Sequence, residues 1–143
     1  MTIDEYLNRC RDLRKRAERL RNKYYDLQAA ATSPGISFNS DGATRAKDPH
    51  GRENLLATMI DAGQDMKLAE LDYIEYRQYL FNQLIKLPNR DESEALIMRY
   101  VEERAIEDIC KAWTASRRNV FRYLRSGKDN LREKLQNSGL EIE

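Results

Sequence analysis

Four arginines fall in the stretch SRRNVFRYLR: Arg117, Arg118, Arg122 and Arg125, in company with Ser116, Asn119 and Tyr123. A guanidinium presents its donors as a planar fork that pairs bidentately with guanine O6 and N7, and an asparagine amide pairs the same way with adenine. Lys111, Lys128 and Arg132 flank the group and supply cations for phosphates. These residue types at this spacing point to duplex DNA. The plainer use of the same charge is a solvated helix face. No comparable constellation points to catalysis: no paired carboxylates, nucleophile with a base, glycine-rich phosphate loop or metal-ligand spacing stands out. Cys10 and Cys110 lie 100 positions apart and His50 sits in a polar stretch, so a disulfide framework, zinc and haem are not expected. The reading is a non-enzyme with no cofactor, metal or catalytic residue.

Such a row works only if a helix carries it on one side and is anchored on the other. Val120 and Leu124, four apart, give that helix an inward face and send Arg118, Arg122 and Arg125 outward, with Ser116 as N-cap. Phe121 adds apolar surface to the same helix. Gly127, after Ser126, offers a C-terminal cap that would end it near Arg125. Ahead of it, Ile106, Ile109, Cys110 and Trp113 predict a short helix joined to it by a tight connection at Thr114 and Ala115. Further back, Pro88 closes a preceding helix. Asn89 with Glu92 three residues on resembles a capping box, and Ala95, Leu96, Met98, Tyr100 and Val101 supply the apolar surface that follows. Charge along this region is sorted: residues 88–110 carry three basic against seven acidic side chains, residues 111–134 eight basic against two acidic. The whole chain of 143 residues is only +1, so distribution, and not balance, carries the signal.

The N-terminal half is patterned differently. Ile3, Cys10, Ala17 and Tyr24 form one heptad row and Tyr6, Leu13, Leu20 and Leu27 the other, which is a helix with one apolar seam. Turn-forming residues crowd the stretch from Thr32 to Gly51, so a loop of about twenty residues is expected there, mobile or used for binding, with Ile36 and Phe38 as anchors. A second helix is expected from Glu53 to about Leu87, with Gly63 marking a kink or a close approach to the first. The two seams suit an antiparallel pair within one chain, or a coiled coil between chains.

From Leu87 to Leu135 the sequence resembles region 4 of bacterial sigma factors. Leu96, Met98, Arg99 and Tyr100 fall on that family's supporting helix. Glu107, Asp108, Ile109, Cys110 and Ala112 fall on the first helix of its helix-turn-helix, with Cys110 where a small alanine is usual and Thr114 in place of the glycine common at the turn. Ser116, Val120 and Leu124 match the N-cap and inward positions of the recognition helix, and Lys128, Leu131, Lys134 and Leu135 its basic helical tail. The general layout is similar to phage and prophage regulators of late transcription of the RinA and ArpU-like kind. The resemblance implies a sequence-specific DNA-binding transcriptional regulator, with double-stranded DNA and RNA polymerase as partners and self-association through the N-terminal helices. A small-terminase-like DNA-recognition protein for genome packaging is the alternative, and a coiled-coil adaptor a third.

The expected fold is all-α. Residues 1–87 form a long helical hairpin with a polar loop at about 32–52, residues 88–136 a helix-turn-helix domain, and 137–143 a flexible tail. Neither a secretory signal nor a membrane-spanning run is read in the sequence, so a cytoplasmic protein is expected.

Overall fold

The computed structural model describes residues 1–32 and 51–143, and every regular element among them is helical. The chain is all-α. Helix α1 spans Ile3–Thr32 and α2 Gly51–Ile85. Helix α3, Arg90–Leu96, runs directly into a π-helical segment, Ile97–Val101; α4 spans Ile106–Trp113 and α5 Arg117–Asn137. The polar loop expected at about 32–52 falls almost wholly outside the described residues, and Ile36, Phe38 and His50 with it. No helix of the described residues is long and apolar enough to cross a membrane.

By contacts the chain divides into two compact units, Arg14–Asp72 and Met1–Leu13 with Tyr73–Glu143. The division expected at residue 88 is therefore displaced. Ile3, Tyr6, Leu7 and Cys10 of α1 and Leu80 and Leu84 of α2 share one core with Leu96, Ile109, Val120 and Leu131. Leu7 lies outside both heptad rows and is fully buried, because the first turns of α1 are covered over a wider arc than one partner helix supplies.

In the unit Arg14–Asp72 the two helices run antiparallel. The Arg21 guanidinium donates to Glu70 Oε1 at 2.8 and 3.0 Å, and further along α1 the Tyr24 ring lies on Gly63. A Cβ at Gly63 would sit 3.1 Å from Tyr24 Cε2, so this glycine serves a close approach. Ala17, Ala62 and Ala69 are buried here, small residues that let the backbones come together.

The other unit is assembled around α5. Helix α3 opens with Asn89, whose Oδ1 accepts from the Asp91 and Glu92 backbone N–H groups. The capping box is only half formed. Glu92 does not reach back to Asn89 but turns inward, where it is 6% exposed and accepts from Ser126 Oγ at 2.5 Å and Asn130 Nδ2 at 2.6 Å. Ser93 Oγ donates to Leu84 O at 2.7 Å, tying α3 to the end of α2. Helix α5 passes straight through Gly127 to Asn137, which corrects the expected stop near Arg125. The reason is local crowding: a Cβ at Gly127 would sit 3.0 Å from Leu96 Cδ1 and 3.3 Å from Glu92 Cβ, so glycine lets α3 press against α5 and does not cap it.

Residues 137–143 are packed, not the expected flexible tail. Ile142 is 6% exposed, the Ile3 N–H donates to Glu143 O and the Glu143 N–H to Met1 O. One apolar side chain and paired backbone groups hold the segment on the first turn of α1.

Candidate nucleic-acid interface

The connection that aims α5 is built from three residues. Thr114, at φ 51° and ψ 43°, is left-handed, which turns the chain sharply after α4. Its N–H donates to Lys111 O and that of Ala115 to Cys110 O, the paired bonds that close a helix C-terminus when the following residue is left-handed. Ser116 then starts α5, its Oγ accepting from the Asn119 N–H at 3.2 Å. Ile106 and Ile109 on one side and Val120 and Leu124 on the other are buried, so both helices are seated on the core through apolar faces.

What these anchors leave outside is strongly cationic. Ser116, Arg117, Arg118, Asn119, Arg122 and Arg125 are all exposed, and so is Lys111 on α4. Arg118, Arg122 and Arg125 follow one another at steps of four and three and so share one side of the helix. The ion pairs nearby go to other cations: Arg117 to Glu107 at 3.4 Å, Lys128 to Asp4 at 2.9 Å and Arg132 to Asp129 at 3.1 Å. The Arg117 pair is exposed at both ends, a geometry that contributes ~0 to 1 kcal/mol and yields readily to a stronger partner.

Three of the sequence-predicted residues stand apart from this group. Tyr123 is half-buried, its ring edge-on to Trp113 at 5.8 Å, and supports the connection. Lys128 points to the other side of α5, over the Tyr100 ring at 5.5 Å. Burial lowers the pKa of its ammonium, but hydrogen bonds to Asp4 and Tyr100 outweigh that and leave it raised. Arg132 is half-buried with its Nε unpartnered. The structure thus brings together Ser116, Arg117, Arg118, Asn119, Arg122 and Arg125, with Lys111 on the preceding helix.

The face also holds one apolar residue, which residue type alone does not assign to it. Phe121 is 43% exposed, with the Arg117 guanidinium 5.7 Å from its ring centroid. Its helix neighbours at −4, −3, +1 and +4 are Arg117, Arg118, Arg122 and Arg125. That pattern is legible in the sequence once Val120 and Leu124 fix the inward direction, and it marks Phe121 as an apolar spot among guanidiniums. Among the described residues no group of three His, Cys, Asp or Glu side chains is placed to hold a metal ion.

Compared with known protein families, with curated proteins and with solved structures, the chain matches none.

Proposed function

We propose that the protein is a sequence-specific DNA-binding transcriptional regulator that reads duplex DNA with α5. The observation that carries this reading is the row of exposed arginines, Arg118, Arg122 and Arg125, on a helix whose opposite face is locked into a core. A rigid helix of this diameter enters a major groove, and its first turns reach base edges. Arg118, Asn119 and Arg122 take the base-reading role, Phe121 meets a thymine methyl, and Arg117, Arg125 and Lys111 take phosphates. The phage or prophage setting and a contact with RNA polymerase rest on the resemblance of residues 87–135 to sigma region 4, and a bacterial cytoplasm follows from that setting.

The test is selection of bound duplexes from a random library, followed by affinity measurement on the enriched site across a range of salt. Binding should weaken linearly in log–log form, each neutralised phosphate contributing a slope of about −0.9. Arg118→Ala or Arg122→Ala should lose about 1 to 3 kcal/mol and relax preference at one position. A library that yields no enriched sequence, or variants that bind the enriched site as well as the parent, would overturn the reading.

A further inference from the structure

Helix α2 carries two apolar rows, and only one meets α1. The row that includes Ala62, Ala69 and Leu80 is buried. A second row runs through positions 60, 64, 67, 71, 74, 78, 81 and 85, at strictly alternating steps of four and three, which is the spacing of a coiled-coil seam. Every residue in it is exposed, including five large apolar side chains: Ile60 at 57%, Leu71 at 53%, Ile74 at 56%, Phe81 at 38% and Ile85 at 55%. Scattered exposed apolar residues are ordinary, but a regular row of them along one helix face is the mark of an interaction surface.

We propose that this face binds the same face of a second copy, with the two α2 helices antiparallel. The register favours it. Crossing between Leu71 and Ile74 sets Leu71 against the second copy's Ile74, and Ile60 against its Ile85, at the two ends. Lys67 then meets the polar Gln78, and Gln64 meets Phe81. A parallel pair would stack Lys67 on Lys67, like charge on like at the seam itself. The exposed apolar area of two such rows is on the order of 1,000 Å², the lower bound for a specific interface. Room exists beside the row: a groove of 750 Å³, bordered by Ile74, Gln78 and Phe81 and by the turn Glu102–Arg104, runs along this side of α2. A helix laid in a groove of this kind buries its own apolar row.

Sedimentation equilibrium of the full chain tests this directly. The expected mass is that of two chains, and Leu71→Lys and Ile74→Lys, both at exposed positions, should each raise the dissociation constant on the order of 100-fold, as two copies each lose an apolar contact, while helical content is unchanged. In a Cys110→Ser background, mixing Lys67→Cys with Gln78→Cys protein under oxidation should give the 67–78 disulfide. A monomeric parent chain overturns the proposal and opens the face to another protein's helix. A mass of more than two chains, a dimer indifferent to both lysine substitutions, or cross-linking only between two 67 positions overturns it equally. The outcome is independent of DNA binding, since none of the lysine substitutions touches α4 or α5.

Discussion

Phe121 and Lys128 sit one turn either side of Leu124 and have opposite fates. Phe121 is held among four arginines with nearly half its surface in water, so Phe121→Ala should weaken affinity for the selected DNA several-fold while moving the melting temperature little; a large loss of stability would show it to be a packing residue. The outward direction of Arg118 and Arg122 was legible from Val120 and Leu124 alone. The capture of Lys128 was not, because its partner Asp4 lies at the other end of the sequence and pairings of that range leave no periodic trace. Glu92 departs from the expected capping box for the same reason, since Ser126 and Asn130 compete for it from a distant helix. The tyrosines of the core carry a pH signature. Burial raises Tyr6 and Tyr76 well above the ordinary phenol value. Their neutral forms thus stabilise the fold fully below about pH 10, the unfolded value, and that contribution is lost as pH rises beyond it. Thermal melting should therefore fall steeply on the alkaline side of pH 10, and Tyr6→Phe should make the decline shallower; an unchanged slope would remove Tyr6 from the account.

The link from α4 to α5 shows how far local chemistry specifies an element. Ser116 as N-cap and the break at Thr114–Ala115 were readable from residue type and spacing, and both are present. What residue type does not reveal is that a β-branched side chain accepts the left-handed conformation, which an L-residue adopts at a cost of roughly 1 to 2 kcal/mol. Thr114→Gly should relieve it and raise stability by about 1 kcal/mol, read as a shift in denaturant midpoint with unchanged slope. No gain would mean that contacts of the threonine side chain offset the backbone strain. Gly127 teaches the converse. Taken locally, a glycine after serine reads as a stop, yet the press of Leu96 and Glu92 makes the same residue the condition for continuing the helix. Helix α2 likewise announces its length through its periodicity, while its exposed second row becomes evident only when burial distinguishes the face toward α1 from the other.

For the chain as a whole, the all-α class was written in the alternation of three- and four-residue apolar spacings, and it holds across the described residues. The grouping of those helices was not written there. Sequence proximity suggested a break at Pro88, whereas burial joins the first turns of α1 to the C-terminal helices, and no motif signals that Ile142 completes their core. If α5 reads DNA as proposed, stoichiometry separates its two uses: a two-chain assembly suits a regulator on an inverted repeat, and a many-membered ring suits a packaging recognition protein. The contact of Ile142 and Glu143 with Met1 and Ile3 has a kinetic corollary. It joins residues far apart in sequence, Ile3 and Glu143, so the entropy lost in closing that loop is offset only after the helices around it are in place. It should be among the last native contacts made and the first broken, and Ile142→Ala should therefore accelerate unfolding while leaving the refolding rate almost untouched.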